Sequence, residues 1–580
     1  MAIGSFRAEN KNMKQFFKSD DRFYVIPRYQ RGYSWKKNQW EMFWNDLLIE
    51  DMGMFIGSIL LNSTENEDVF EVVDGQQRTL TVTILLSVVR DKFHDLSMPS
   101  NASKIHLNYI SDAGGFGEED SPKVKAGGQL EDYFLKFIQT YPRLEIPDAE
   151  NKQQVSIKSA RAFFENKVDT YIEEAGDANA ALTGIIQRLE KLIVIGIEVE
   201  DEDDAYKVFE SVNAKGADLT IADILKNMIF RVMKPSPGEE DHAQKKWDKI
   251  LINLDGSGIT MSKFIRYFWM SKYKFLTEKE LYHEIKIKTG PSGDLSMNQL
   301  MNDLVYSSSK LSDYLSPNPQ NMAHFDSSSR RIIKSLNAIN CMKVKQCVPF
   351  FLSVDRNVEL KSKWQRVFEI IEKFSFQYHA VAKLPANKIE RKYSLYAREI
   401  ERCAKISSTK ARDKELNSVL SKLENDLTEL CPNKETFCEK FIEGMNYSAS
   451  SNKKSVINYV LTNINEHLSN GTGELVIDDW YTNIEHILPQ KPQKWGLTEE
   501  DITEYVHEIG NLTVLSKKIN SQVGNSELKV KKDKLSESDL EINKKFVESL
   551  DSNDAVWDRK AIRKRSKNLA VSAHEIWCMK

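Results

Sequence analysis

Residues 69–90 leave little choice of local structure. Val69-Phe70-Glu71-Val72-Val73 is a β-branched and aromatic run that reads as a strand, and Thr79 to Arg90 is an apolar stretch of helical length. Only Asp74-Gly75-Gln76-Gln77-Arg78 separates them, which predicts a strand, a glycine turn and a helix start. The free N–H groups and positive dipole end of a helix suit an anion, and Arg78, one turn in, has the fork geometry to clamp a phosphate. Asp74 could hold a metal or position water. The plainer alternative is a capped turn with Arg78 as a solvated helix residue. Upstream, Arg28 and Arg31 interleave with Tyr29, Tyr33 and Trp35, offering cations for phosphate and flat faces for a base, although the same pattern could simply pack. Gln30 and Arg31 are read as pocket residues, and Trp40 and Trp44, at helical spacing, as core.

A second constellation lies toward the C-terminus. Ile484-Glu485-His486-Ile487-Leu488-Pro489-Gln490 is followed by Ile509-Gly510-Asn511-Leu512-Thr513-Val514-Leu515 and then by Asn520. Cutting a phosphodiester with water needs a base, and the charge that builds on the phosphate needs a cation. His486 suits the base, Glu485 and Asn520 supply hard oxygen ligands for Mg2+ or Mn2+, and Asn511 is expected to orient the imidazole. Neighbouring strand residues point to opposite faces, so Glu485 and His486 serve one ion only where the backbone bends, and Pro489 fits such a bend. The alternative is a packed core histidine with asparagines in turns.

These strings resemble known families. The C-terminal one is similar to the HNH, or ββα-metal, nucleases, which implies Glu485 and Asn520 as metal ligands, His486 as general base and Asn511 as the structural asparagine. The interval from His486 to Asn511 is longer than usual there; residues 491–508 would be an insertion, and Asn511 and Asn525 are alternatives for the later roles. The order Ile26-Pro27-Arg28-Tyr29-Gln30-Arg31-Gly32-Tyr33-Ser34-Trp35, then Phe55-Ile56-Gly57-Ser58-Ile59-Leu60-Leu61, then Asp74 to Arg78, with Phe209, Asn213, Gly216, Leu219, Asp223, Lys226 and Asn227 further on, completes the likeness. The chain resembles a single-chain GmrSD-type modification-dependent (type IV) restriction endonuclease, in which a ParB-like nucleotide-hydrolysing domain is joined to an HNH domain. The resemblance implies hydrolysis of a nucleoside triphosphate (NTP) coupled to cutting of foreign, modified phage DNA. It carries over Gln30, Arg31, Asp74, Gly75, Gln76, Gln77 and Arg78 for the nucleotide site, Asp74 and Arg78 among its catalytic groups, and more weakly Asn213, Asp223 and Lys226.

The global numbers agree. The chain has 580 residues, 41% hydrophobic and 29% charged, enough for several cores of an ordinary globular protein. Its net charge of -4 provides no overall basic field, so a DNA surface must be local. Lys529, Lys531, Lys532 and Lys534 after the nuclease motif, and Arg559, Lys560, Arg563, Lys564, Arg565 and Lys567 on the last helix, are the candidates, with Lys529, Lys531, Lys532, Arg563 and Arg565 taken as DNA-binding. Six scattered cysteines form no Cys-x-x-Cys pair. No signal region opens the chain, no apolar stretch is long enough for a bilayer, and a cytoplasmic protein is expected, a homo-oligomer being compatible with the pattern. No Walker loop is present.

The expected fold class is α+β, predominantly helical. Residues 1–235 form a ParB-like domain with an insertion or mobile loop near 97–128, 242–465 a helical connector, and 466–580 an HNH-type module embedded in helices. Lys191 to Val199 reads as a buried strand, and Ala561 to Trp577 as a closing helix with Ile562, Leu569, Ala573 and Trp577 on its inner side. The rival functions are a DNA-binding sensor whose nuclease site has lapsed and a nuclease without triphosphatase activity.

Overall fold

The computed structural model describes residues 6–18, 22–49, 53–113, 120–143, 148–200, 208, 220–236, 239–357, 363–447, 451–469, 482–550 and 556–579. Backbone contacts divide the chain into two units, Met1–Ala243 and Gln244–Lys580.

The first unit is built on a mixed sheet. Its strands are β1 (Phe6–Asn12), β2 (Phe23–Val25), β3 (Phe55–Ser63), β4 (Val69–Asp74), β7 (Val124–Lys125) and β8 (Ile193–Val199), in the order β1-β8-β3-β4-β2-β7. A separate pair, β5 (Ser111–Asp112) and β6 (Ser121–Pro122), runs antiparallel. The helices are α1 (Met13–Phe17), α2 (Lys37–Ile49), α3 (Gln76–Asp95), α4 (Lys152–Ala175), α5 (Ala178–Lys191) and α6 (Ile221–Val232). Helix α3 is buried on nearly every side from Gln76 to Phe93, as its unbroken apolar run requires. Its threonines survive there because the hydroxyls of Thr79, Thr81 and Thr83 donate to carbonyls one turn back, at 3.2, 2.7 and 2.9 Å. Trp40 and Trp44 pack into the same core, while Trp35 is only partly covered.

Stretch 97–128, expected to be an insertion or mobile loop, carries secondary structure. It holds a helix at Pro99–Ile105, a π-helical turn at His106–Ile110 and strands β5 to β7. Ala102, Ile105, Tyr109, Ile110, Val124 and Ala126 reach the main core, so its apolar residues outweigh the glycines and serines around them.

The second unit begins with a run of helices through Thr409–Thr428. It continues with α7 (Lys434–Gly444), α8 (Ser451–Leu468), β9 (Thr482–His486), α9 (Glu499–Ile502), β10 (Leu512–Ser516), α10 (Lys517–Val523), α11 (Leu528–Ser536), α12 (Glu541–Glu548) and α13 (Arg559–Trp577). Strands β9 and β10 pair antiparallel, with His486 opposite Leu512 and Glu485 opposite Thr513, and α10 follows at once. Helix α13 buries Ile562, Leu569, Ala573 and Trp577 as its periodicity predicts. Ile562 joins the core beneath the hairpin, and the other three join a core shared with α7 and α8, so one helix closes both. The molecule is thus a predominantly helical α+β protein.

Candidate functional site

In the first unit, Gly75 sits between β4 and α3 at φ 97°, a left-handed conformation that favours glycine. A Cβ there would also press on Ile59 at 2.9 Å. The side chains around this turn divide into two groups. Gln30 donates through Nε2 to the Val73 carbonyl at 2.7 Å, and Gln76 donates to the Arg31 carbonyl. Gln77 donates to the Gly32 carbonyl at 3.1 Å and accepts the Ser34 amide at 2.8 Å. These three buried glutamines therefore fasten segment 30–34 to the turn and to β4, each bonding to a backbone group. Tyr33 belongs to the core, its hydroxyl 2.8 Å from Thr81 Oγ1 and accepting from Trp40 Nε1. Gln76 Oε1, in contrast, is buried without a partner.

The charged pair of the turn remains partly open. Arg78 Nη1 donates to the Ile56 carbonyl at 3.0 Å, and its Nη2 lies 3.6 Å from Asp74 Oδ2, both side chains being about one fifth exposed. Gly57, at φ 100°, lets the guanidinium through, since a Cβ there would collide with Nη1. Arg31 is half-buried. Arg28 instead packs its guanidinium on the Phe230 ring, donates to the Phe230 carbonyl and pairs with Asp241. On α6, Asp223 closes a capping box with Thr220, and Lys226 lies over Phe230. Asn213, with Phe209, Gly216 and Leu219, lies outside the described residues.

In the second unit, β9 ends at His486, and the backbone bends at Ile487 and Leu488, just before Pro489. Glu485 Oε1 accepts from Lys531 Nζ of α11 at 2.7 Å, and the same ammonium donates to the His486 carbonyl at 2.7 Å. Burial pushes the Glu485 carboxyl up and the Lys531 ammonium down, against their mutual attraction. The His486 ring is 7% exposed. Its Nε2 lies 3.2 Å from His507 Nδ1, and its Nδ1 accepts from Gln490 Nε2 at 3.3 Å. Burial, then the neighbouring His507 and Lys531, push its pKa down to about 3, so the imidazole is neutral at ordinary pH. Tyr447 stands edge-on to His486, with centroids 4.8 Å apart, and stacks on His507 at 5.8 Å.

Asn511 is fully buried and does not reach the imidazole. Its Nδ2 donates to the carbonyls of Leu488 and Val506 at 2.9 and 2.8 Å, and its Oδ1 accepts from the Leu488 amide at 2.8 Å and Trp557 Nε1 at 3.0 Å. It brackets the backbone where β9 leaves and β10 enters, which corrects the expectation that it would orient His486. Next to it, Gly510 lies so close to α13 that a Cβ would collide with the Ile562 carbonyl and with Ser566. Asn520 is on α10, which packs on both strands, and its Oδ1 is buried without a hydrogen-bond partner. Its rival Asn525 is exposed in the turn beyond that helix. Among the described residues, no three His, Cys, Asp or Glu side chains gather where they could hold one ion. A hard cation here would thus draw on one carboxylate and one amide oxygen, and the orphaned Asn520 oxygen fits that role.

The family model described as GmrSD restriction endonuclease, N-terminal domain, matches residues 13–230, and the one described as GmrSD restriction endonucleases, C-terminal domain, matches 431–571. The chain belongs to the GmrSD restriction endonucleases. Both matched regions contain one of the two sites. No curated protein matches the chain.

Two of the basic residues expected on the DNA surface of this GmrSD chain are spent internally. Lys531 is fully buried against Glu485. Arg565 donates to the Gly510 and Leu512 carbonyls, both at 2.7 Å, and lies over Phe546, with burial pushing its guanidinium down to about 10. Both stand in charge runs, but at positions that helix periodicity turns inward. Lys529 and Arg563 are exposed, the latter 3.4 Å from Glu508, and Lys532 donates to the Leu550 carbonyl. Sequence reasoning missed His507, Gln490 and Tyr447. The span 491–508, read as an insertion, carries Trp495, Leu497, Ile502 and Val506 into the core and delivers His507 to His486. Among the described residues, no helix is long and apolar enough to cross a membrane.

Proposed function

We propose that the protein is a cation-dependent DNA endonuclease of the HNH type, regulated by nucleoside triphosphate hydrolysis at its N-terminal turn and directed at modified phage DNA. The observation that carries this reading is the ββα arrangement of β9, β10 and α10, with Glu485 and His486 at the end of one strand and the unpartnered Asn520 oxygen on the helix. Mg2+ or Mn2+ bound by Glu485 and Asn520 would supply charge stabilisation at the scissile phosphate. His486, neutral and with one ring nitrogen turned to the exposed Gln490, takes a proton from water as the water oxygen bonds to phosphorus and the bond to the leaving sugar oxygen breaks. Solvent returns a proton to that oxygen. Asn511 keeps the strand ends in register, and Lys531 holds Glu485 in place. At the other turn, Gly75 places no side chain over the first N–H groups of α3, Arg78 and Asp74 are charged groups beside them, and Arg31 belongs to the segment whose backbone Gln76 holds, a setting suited to a triphosphate. The glutamines hold segment 30–34 against this turn, and Gln76 keeps one unpartnered oxygen there.

The rival reading, a DNA-binding sensor with a lapsed nuclease, draws on Lys531, an ammonium lodged on the carboxylate that would hold the cation. Incubating the purified chain with Mg2+ or Mn2+, a panel of triphosphates, and plain and modified phage DNA distinguishes the two. The expected result is metal-dependent fragmentation that His486→Ala lowers by about 100- to 10,000-fold while DNA binding persists. Absence of cleavage by the parent with either metal supports the sensor.

A further inference from the structure

The geometry points to His507 as the positioning residue that sets the working tautomer of His486, a role that rests on the reading of His486 as the base. An amide nitrogen can only donate, so the contact from Gln490 Nε2 at 3.3 Å makes His486 Nδ1 the nitrogen with the free lone pair. The ring proton is then on Nε2, which faces His507 Nδ1 at 3.2 Å and donates to it. His507 Nδ1 is in turn an acceptor, and its own proton is on Nε2. Two imidazoles thus form a directed chain that ends on an exposed amide, where a water molecule or substrate oxygen can replace Gln490.

Asn511 is not available for this role, because both of its side-chain polar atoms are spent on Leu488, Val506 and Trp557. His507 is held for it. Tyr447 stacks on its ring at an interplanar angle of 26° and meets His486 at 83°. The Tyr447 amide donates to the His507 carbonyl at 2.9 Å, and Asn446 bridges to Glu508 beside it. The segment before α8 and the span 491–508 therefore grip the second imidazole from backbone and ring at once. When His486 Nδ1 takes a proton, the charge that develops is shared with an acceptor already in line at Nε2, the arrangement by which a fixed partner raises the effectiveness of a histidine base.

The test compares His507→Phe with His507→Asn in the full chain. Phenylalanine keeps a ring against Tyr447 but offers no acceptor, whereas asparagine returns an acceptor oxygen close to the Nδ1 position. With plasmid DNA and Mn2+, His507→Phe is expected to lower kcat by about 10- to 100-fold with KM for DNA unchanged, and His507→Asn to recover most of the loss. Equal impairment in both variants, a change confined to KM, or full activity of His507→Phe overturns the assignment. Ring nitrogen-15 chemical shifts of the histidines give a second measurement that needs no turnover: His486 should show its proton on Nε2 in the parent and in His507→Asn, and lose that preference in His507→Phe. A parent signal with the proton on Nδ1 overturns it as well. Failure of the base itself reads differently, because His486→Ala would then cleave as the parent does, whatever the tautomer.

Discussion

The two turns solve opposite problems with similar materials. At the β4–α3 turn, polar side chains satisfy the backbone: Gln30, Gln76 and Gln77 each meet a carbonyl, and Gln77 an amide as well, in segment 30–34 or β4. At the β9–β10 hairpin, Asn511 shares that bracketing with Lys531 and Arg565, which also donate to backbone carbonyls, and titratable groups are buried beside it: Glu485 on Lys531, and His486 on His507. The first is a scaffold with one partly exposed charged pair beside the turn. The second holds a carboxyl pushed up and an imidazole pushed down at the end of β9, and an orphaned oxygen on the helix packed against both strands, the kind of perturbed setting expected where chemistry is done. Polar residues in a motif thus divide by what they bond to, and the motif alone does not say which way.

That contrast can be broken first at Arg78. Arg78→Ala is expected to lower triphosphate hydrolysis by about 100-fold or more, the scale seen when a transition-state donor is removed, with the fold intact. Phosphate release unchanged in that variant would move the nucleotide site elsewhere. Gln77→Ala should act the other way: it strands the Gly32 carbonyl and the Ser34 amide, costing about 1–3 kcal/mol of stability in denaturant unfolding while leaving the KM for triphosphate near that of the parent. A KM defect at unchanged stability would make Gln77 a ligand after all.

The hairpin has a pH signature. His486 is held neutral in the folded chain, well below its ordinary value near 6.5, so the unfolded state binds the extra proton between pH 6.5 and about 3. The stability that depends on this group is complete above pH 6.5 and declines as pH falls toward 3. His379, pushed down to about 4 by burial, adds to the same trend. Thermal unfolding of the metal-free chain from pH 7 to 4 should therefore show a slope that His486→Gln flattens; an unchanged slope would mean that the imidazole is not buried neutral. The smallest effect belongs to the surface: Lys529→Ala and Arg563→Ala should each weaken DNA binding modestly and reduce its salt dependence by about one counterion, read from binding at several salt concentrations. No change in the salt slope would remove those two side chains from the interface.

Much of this was legible in the sequence, for local reasons. The strand, turn and helix at 69–95 follow from a β-branched run, one glycine and an apolar stretch, and the inner face of α13 follows from its period. Glu485, His486 and Asn520 stand out as candidates because their residue types and spacing match a chemical need. The rest depends on what meets what across distance. Lys531 is 46 residues from Glu485, and although its spacing from Leu535 turns it inward, nothing in the lysine run names the carboxylate it meets. His507 is 21 residues from His486 in a span whose length departs from the family pattern, so nothing near it in sequence marks it. That Gln76 and Gln77 bond to the backbone of segment 30–34 is likewise a contact across distance, 43 to 45 residues apart in sequence. Stretch 97–128 reads as an insertion or mobile loop because glycine, serine, asparagine and proline break its pattern, and the packing of Ile105, Tyr109 and Ile110 into the main core depends on partners far off in sequence.

The most direct measurement is plasmid cleavage by the full chain across a Mn2+ titration, run beside Asn520→Ala. If Glu485 and Asn520 hold the ion, cleavage is absent in chelator, rises to a plateau with Mn2+, and in the variant needs at least about ten times more metal to reach half of that plateau. Cleavage that persists in chelator, or identical titration curves for the two proteins, would contradict the assignment of a cation to this hairpin.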